Sequence, residues 1–261
     1  MFKISISPEE IEKLGLVSFP GAIHVITRPG RELNYAVSYL KRQKIIGFDT
    51  ETRPVFSPSQ RGHGVALLQL SGSDEAFLFR VQSLGMRRRI CAILSNPDII
   101  KVGAASHDDV RCLQRLRFFE EKGFVDLQKI GWEWGIRDKS VKKMAAIILG
   151  VRISKTQQLS NWEAETLSEA QQKYAATDAW ICREMYLRLL ASEKHPLTPD
   201  ERLAPADLLQ REQSRAAALE RKKAAEAAGQ GGGKKRRRRH RGGRNRKKKQ
   251  SNGEGNPQEG A

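Results

Sequence analysis

Two carboxylates stand two residues apart at the end of an apolar run, and their types and spacing are typical of metal-dependent chemistry. The run IIGFDTETRP covers residues 45–54 and turns acidic at Asp49 and Glu51. In a strand, residues i and i+2 project from the same face, so both carboxylates are expected to point the same way. Two like charges this close raise each other's pKa unless a cation lies between them. The pair is therefore a candidate site for a hard divalent cation such as Mg²⁺ or Mn²⁺.

A pair of this kind is also common at a solvated strand end, so the interpretation depends on further carboxylates that converge on it. The sequence YAATD supplies one, because Tyr174 and Asp178 are four residues apart on a predicted helix and lie on one face. Ile181 and Met185 continue that face, which indicates that it is turned towards the domain. The competing interpretation is a local hydrogen bond between Tyr174 and Asp178.

The segment KVGAASHDDV supplies the other candidate, because a predicted strand ending at Gly103 leads into a helix that carries Asp108 and Asp109. With Leu113 as the centre of the apolar stripe and about 100° per residue, Asp109 falls about 40° from that centre and Asp108 about 140°. Asp109 is therefore the predicted site residue. Asp108 is predicted to face solvent in the first helical turn, where a carboxylate interacts favourably with the helix dipole.

These side chains need a fold that brings strand ends and helix faces together, and the order of the elements predicts one. Three short apolar segments separated by Gly, Ser and Pro predict an antiparallel meander over KIIGFDTE, VALLQLS and EAFLFRV. A strand over DIIKVG, a helix over DDVRCLQRLRFFE and a strand over FVDL follow, and a capping-box pattern at Ser168 and Gln171 begins a last long helix. The predicted fold class is α/β, with a mixed sheet, a meander followed by β-α units, flanked by helices.

Composition divides the chain into four predicted parts. Residues 1–24 are an N-terminal extension, 25–192 a compact domain, 193–229 a Pro-containing linker with a charged helix, and 230–261 a disordered basic tail. The net charge is +17, yet residues 231–250 alone hold 12 Lys and Arg and no acid. Flexible cations at this density favour the phosphate backbone of nucleic acid as a partner, without sequence readout.

Other features of the sequence predict the compartment. Three cysteines without metal-ligand spacing indicate a reducing environment. The N-terminus lacks the pattern of a signal peptide, and no window is apolar enough for a membrane span. We expect a soluble cytoplasmic protein without membrane contact, or a nuclear one in a eukaryotic host because the basic run also matches a nuclear-localisation signal. The sequence makes no prediction of oligomeric state.

Two tryptophans and a lysine are further candidates for contact with nucleic acid. Trp132 and Trp134 in GWEWG are predicted to pack inside the domain, with stacking on nucleobases as the alternative. Lys155 in SKT is a candidate contact for phosphate.

Together the motifs resemble a known family. FDTE, KVGAASHDD and YAATDAW have the order and the approximate separations of the three exonuclease motifs of DEDD-type 3′-5′ exonucleases. The third motif has a tyrosine four residues before its aspartate. In this it resembles the DEDDy subclass, which includes ribonuclease D and the Werner syndrome exonuclease domain. The resemblance runs from about residue 25 to residue 192, and it implies a ribonuclease H-like fold.

The resemblance also implies roles for individual residues. It assigns Asp49, Glu51, Asp109 and Asp178 to the binding of two divalent metal ions, Mg²⁺ or Mn²⁺, and it assigns Tyr174 to orienting the attacking water. Tyrosine, with an ordinary pKa near 10, is a poor base at neutral pH but a good hydrogen-bonding guide. Because His107, Asp108 and Asp109 stand in a row, a shift of one residue in the second motif would move its role to Asp108.

The implied activity is two-metal-ion hydrolysis of nucleic acid from the 3′ end to nucleoside 5′-monophosphates. DNA is slightly favoured over RNA, because the region before the third motif is similar to the Werner-like branch and no accessory helical domain of the ribonuclease D kind is visible after residue 192. The alternative is a non-catalytic nucleic-acid or ribosome-associated binding protein that uses the basic tail. The presence of all four carboxylates favours the enzyme.

Overall fold

A computed structural model describes residues 1–55, 63–203, 214–216 and 219–220. The chain forms two compact units, Met1–Leu208 and Leu209–Ala261. In the second unit the described residues are helical. The predicted tail, residues 230–261, and most of the predicted charged helix lie outside the described residues. Within the part that is described, no helix combines the length and the apolar character that a bilayer span requires.

The first unit contains eight strands and eight α-helices among its described residues. Its strands are β1 (Leu16–Val17), β2 (Ala22–Ile26), β3 (Ile45–Thr52), β4 (Val65–Ser71), β5 (Glu75–Arg80), β6 (Ile100–Gly103), β7 (Phe124–Asp126) and β8 (Arg152–Ile153). Its helices are α1 (Pro8–Glu12), α2 (Arg31–Lys41), α3 (Val81–Leu84), α4 (Arg88–Leu94), α5 (Ser106–Leu116), α6 (Leu127–Ile130), α7 (Val141–Leu149) and α8 (Glu169–Leu190), with a 3₁₀ turn over Gly131–Trp134.

Six of the strands form one mixed sheet in the order β2-β5-β4-β3-β6-β7. The predicted meander is confirmed, since β3 pairs with β4 and β4 with β5 in antiparallel fashion. The following β-α units add β6 and β7 parallel to β3. The strand β2, which precedes the other five along the chain, pairs in parallel with β5 and forms the edge of the sheet opposite β7. The carboxyl ends of β3, β6 and β7 therefore lie at the same edge of the sheet.

Helices cover both faces of this sheet, which explains why β4 is buried along its whole length. On one face, Leu68 and Leu70 join the side chains of α2 and α4 in the largest apolar cluster. On the other face, Leu67 packs with Tyr174 and Ala175 of α8. The predicted capping box of α8 is present, because Ser168 accepts a hydrogen bond from Gln171 N and the Gln171 side chain accepts one from Ser168 N.

Segments on either side of residues 25–192 pack on this core. At the start of the chain, β1 pairs with β8, and Phe19 is fully buried. After residue 192, Leu197 is buried and its N–H donates to the Trp132 carbonyl oxygen. The predicted interior packing of Trp134 is confirmed, because this side chain is only 4% exposed.

Candidate active site

Three of the acidic side chains singled out in the sequence meet at the carboxyl edge of β3. Carboxylate oxygens of Asp49, Glu51 and Asp178 all lie within 4.8 Å of one another. Asp49 and Glu51 project from one face of β3 as the strand period requires, and Asp178 comes from the middle of α8. We call these three residues the acidic cluster.

A glycine makes this meeting possible. A Cβ atom at Gly47 would lie 1.8 Å from the carbonyl oxygen of Ala179, a distance that no side chain tolerates. The backbone of α8 therefore lies directly against β3 one residue after Asp178. A second contact also joins α8 to β3: Arg183 Nε donates a hydrogen bond to Ile45 O at 3.1 Å. Together these contacts fix the position of Asp178 over Asp49.

Asp109 comes from α5 and lies beside the acidic cluster. Thr50 lies between Asp49 and Glu51, and alternation along the strand turns it to the opposite face. Its hydroxyl donates to Asp109 Oδ1 at 2.6 Å. Asp109 is therefore not one of the three tightly clustered carboxylates, although its charge is close enough to raise the pKa of Asp49. The helical-wheel prediction is confirmed, because Asp109 is partly buried and Asp108 is exposed.

The start of α5 is tied to the same edge of the sheet. Ala105, immediately before the helix, has a φ of 56°, which is left-handed and costs a residue with a Cβ about 1 kcal/mol. Its N–H donates to Asp126 Oδ1 at 3.0 Å, and the same oxygen accepts from Gln128 N at 3.0 Å. Asp126 at the end of β7 therefore joins the starts of α5 and α6.

Burial and mutual repulsion make the acidic cluster unfavourable as a set of anions. Burial, with the charges of Asp178 and Asp109, raises the pKa of Asp49 well above its ordinary value. Burial, with the charge of Asp49, raises the pKa of Glu51 to about 9. Burial likewise raises the pKa of Asp178.

The donor set fits divalent cations. Asp178 Oδ1 is buried and has no hydrogen-bond partner among the described residues. The ammonium group of Lys155 forms an ion pair with the other carboxylate oxygen of Asp178, at 4.0 Å between Lys155 Nζ and Asp178 Oδ2. A buried carboxylate left unpaired costs several kcal/mol, and bound cations remove that cost. Clustered carboxylate oxygens are the ligands that Mg²⁺ and Mn²⁺ prefer.

Tyr174 borders the acidic cluster from one turn earlier on α8. It is 6% exposed and packs against Trp162, with ring centroids 5.9 Å apart. Burial and the negative charge of Asp178 raise the pKa of Tyr174. The side chain therefore remains a protonated hydroxyl at neutral pH.

Two residues of this site have no place among the sequence predictions. Gly47 carries a recognisable signal, because glycine inside a strand often marks the close approach of another backbone. Thr50 carries none, since a threonine in a strand is ordinary and its partner Asp109 lies far away along the chain.

Known proteins share this sequence and fold in part. A ribonuclease D of Gluconacetobacter diazotrophicus is 28% identical over 176 residues, which make up 66% of this chain and 43% of that protein. The Mus musculus bifunctional 3′-5′ exonuclease/ATP-dependent helicase WRN is 28% identical over 195 residues, with 68% of this chain and 13% of that protein covered. The chain thus spans less than half the length of these two relatives.

Solved structures match the fold. Escherichia coli RNase D aligns with a TM-score of 0.57 and 23% identity, over 65% of this chain and 44% of that chain. The Trypanosoma brucei RNase D complex with RNA U12 aligns with a TM-score of 0.59 and 19% identity, over 67% of this chain and 64% of that one. These likenesses confirm the predicted ribonuclease H-like fold.

The family itself is established by the sequence. A family model described as 3′-5′ exonuclease matches residues 25–192, which is more than half of the chain and includes every motif described above. The resemblance predicted from the three motifs is confirmed, and the chain belongs to the 3′-5′ exonuclease family.

Proposed function

We propose that this protein is a metal-dependent exonuclease that hydrolyses nucleic acid from the 3′ end to nucleoside 5′-monophosphates by a two-metal-ion mechanism. The observation that carries the proposal is the acidic cluster, in which three carboxylates lie within 4.8 Å of one another and their pKa values are raised. Membership of the 3′-5′ exonuclease family supports the same reaction.

In this proposal the carboxylates of Asp49, Glu51, Asp178 and Asp109 hold the metal ions, Mg²⁺ or Mn²⁺. When bound, the ions would supply Lewis-acid chemistry that lowers the pKa of a water and stabilises negative charge on a leaving oxygen. Thr50 orients Asp109 through its hydrogen bond.

Two other side chains act on the substrate and the water. Tyr174 keeps its proton, so its hydroxyl directs the attacking water by hydrogen bonding and does not deprotonate it. Lys155 brings a positive charge to the edge of the acidic cluster, where it favours the scissile phosphate.

A ladder assay tests the proposal. Purified protein with Mn²⁺ should shorten a 5′-labelled oligonucleotide one nucleotide at a time and release nucleoside 5′-monophosphates. Asp49→Asn should abolish this shortening, whereas Asp108→Asn, which removes an exposed carboxylate next to Asp109 on α5, should not. Equal shortening by Asp49→Asn and the wild type would overturn the proposal, and no shortening by either protein would favour the alternative, a binding protein that uses the basic tail.

We propose DNA as the preferred substrate, on the similarity of residues 153–180 to the Werner-like branch. One structural neighbour was solved with RNA, so matched DNA and RNA oligonucleotides are the necessary comparison. The basic tail is proposed to hold the phosphate backbone near the domain, and the proposed location is the cytoplasm, or the nucleus of a eukaryotic host. Faster degradation of the RNA strand would reverse the assignment of the substrate without affecting that of the reaction.

A further inference from the structure

A cavity lies in the first unit, apart from the acidic cluster. It has a volume of about 250 Å³ and is lined by α6, the 3₁₀ turn, the loop that follows it and Arg202. Its lining residues are Gln128, Lys129, Trp132, Ile136, Arg137, Lys139 and Arg202. Four of these seven side chains are cationic and none is acidic. We call this cavity the basic pocket.

The pocket is built by a contact between two distant parts of the chain. The Arg202 guanidinium stacks on Trp132 at 3.3 Å from the ring centroid. Leu197 N donates to Trp132 O at 2.8 Å, which anchors the segment that carries Arg202. Arg202 lies beyond residues 25–192, so this wall of the pocket is not part of the family match.

Direct ion pairs compensate only part of the positive charge of the pocket. Two of its cations bond to backbone carbonyls, since Arg202 Nε donates to Leu197 O and Arg137 to Leu203 O. The ion pairs around the pocket are Lys129–Asp126, Lys143–Asp138 and Lys194–Glu133. Within residues 1–55 and 63–203, no ion pair involves Arg137, Lys139 or Arg202. Three cations around one cavity therefore retain capacity for an anion.

The basic pocket begins at the same sheet edge as the acidic cluster. The helix α6, which supplies Gln128 and Lys129, starts directly after Asp126 at the carboxyl end of β7. The strands run β3-β6-β7 in parallel, so β7 lies about 10 Å from β3 at the usual strand spacing. A stacked strand advances about 3.4 Å per nucleotide, so a strand that ends at the cluster reaches α6 within a few nucleotides.

We propose that the basic pocket binds phosphate groups of a nucleic-acid strand whose 3′ end lies at the acidic cluster. This inference rests on the proposed function for the direction of the strand. The clustered cations supply the affinity, and the guanidinium held flat on Trp132 supplies a donor edge of fixed orientation for a phosphate.

Fluorine NMR of the full chain labelled with 5-fluorotryptophan tests the proposal. The resonance of Trp132 reports on the basic pocket itself and not on binding to the basic tail. Trp132→Phe identifies the Trp132 resonance, and chelation of metal prevents hydrolysis. Added oligodeoxythymidine should shift this resonance. Inorganic phosphate at the same phosphate concentration should shift it much less.

A charge-removal pair provides the quantitative arm. Arg137→Gln with Lys139→Gln should abolish the Trp132 shift and lower the salt dependence of oligonucleotide affinity by about one unit of log–log slope per cation. The matched control is Lys41→Gln with Lys44→Gln, two exposed lysines next to the amino end of β3, at the opposite edge of the sheet. The control should keep the Trp132 shift.

An unmoved Trp132 resonance at saturating oligonucleotide, or equal slopes for the two double variants, would overturn the proposal. An equal shift with inorganic phosphate would also overturn it, because it indicates a site for free anions. Hydrolysis of the p-nitrophenyl ester of thymidine 5′-monophosphate with Mn²⁺ separates the two ideas, since so small a substrate cannot span both sites. Inactivity of the wild type on this ester refutes the proposed function, whereas activity without a Trp132 shift refutes the basic pocket alone.

Discussion

Replacing Glu51 by glutamine is expected to make the metal-free protein more stable and the metal-bound protein less so. Glutamine keeps the shape of the side chain and removes its charge. In the folded protein the pKa of Glu51 is raised from 4.5 to about 9, first by burial and then by the charge of Asp49. The wild type therefore carries a cost at neutral pH that the variant does not.

The magnitude follows from proton linkage. A carboxyl group whose pKa is raised on folding contributes fully to stability below the unfolded pKa and loses that contribution as the pH rises through the folded pKa. Between pH 4.5 and about 9, stability therefore falls by about 1.4 kcal/mol per pH unit. At pH 7 the loss is about 3 kcal/mol, a large share of the 5 to 15 kcal/mol typical of a folded domain.

Urea denaturation in the presence of a chelator measures this effect. The free energy of unfolding of Glu51→Gln should exceed that of the wild type by up to about 3 kcal/mol at pH 7, and the difference should shrink towards pH 4.5. Excess Mn²⁺ should stabilise the wild type, by about 2.7 kcal/mol at a hundred times the dissociation constant, and stabilise the variant much less.

The control is Glu32→Gln, which removes an exposed carboxylate from α2 and should change stability little under either condition. A Glu51→Gln variant that is less stable than the wild type both with and without metal would show that the Glu51 carboxylate does not destabilise the metal-free protein. So would a metal-free wild type whose stability does not fall between pH 5 and pH 9.

The other predictions concern the residues that position the site. Gly47→Ala should lower the free energy of unfolding by about 1 to 3 kcal/mol and remove exonuclease activity, because the added Cβ meets Ala179 O at 1.8 Å. Thermal melting and the ladder assay measure these two effects, and a fully active variant would contradict the prediction. Thr50→Val should lower kcat about fivefold to tenfold without changing the fold, since Asp109 loses the hydrogen bond from the Thr50 hydroxyl. Steady-state kinetics measure this loss, and an unchanged kcat would contradict the prediction. Asp109→Asn should lower kcat more than about tenfold while Asp108→Asn changes it less than about twofold, and the reverse order would move the second motif to Asp108.

Local signals in the sequence were sufficient to predict several parts of this fold. The meander follows from short apolar segments with turn residues between them, and the start of α8 follows from the capping box at Ser168 and Gln171. The inward turn of Asp109 follows from the apolar stripe of α5, because helix geometry alone fixes which residues share a face.

Contacts between distant segments were beyond the reach of these signals. The meeting of Asp49 with Asp178 depends on the approach of α8 to Gly47, about 130 residues apart along the chain. The hydrogen bond that holds Asp109 depends on Thr50, whose sequence context is that of any strand. The packing of Leu197 and Arg202 on Trp132 likewise joins a segment predicted as linker to the core of the unit.

The most direct measurement of the central claim is the anomalous scattering of manganese in crystals of the protein grown with Mn²⁺. We expect anomalous peaks bounded by the carboxylates of Asp49, Glu51 and Asp178, and their loss in crystals of Asp49→Asn grown in the same way. Crystals that show no manganese at these three carboxylates at millimolar Mn²⁺, or that bind it equally after Asp49→Asn, would contradict the claim that the acidic cluster is a metal site.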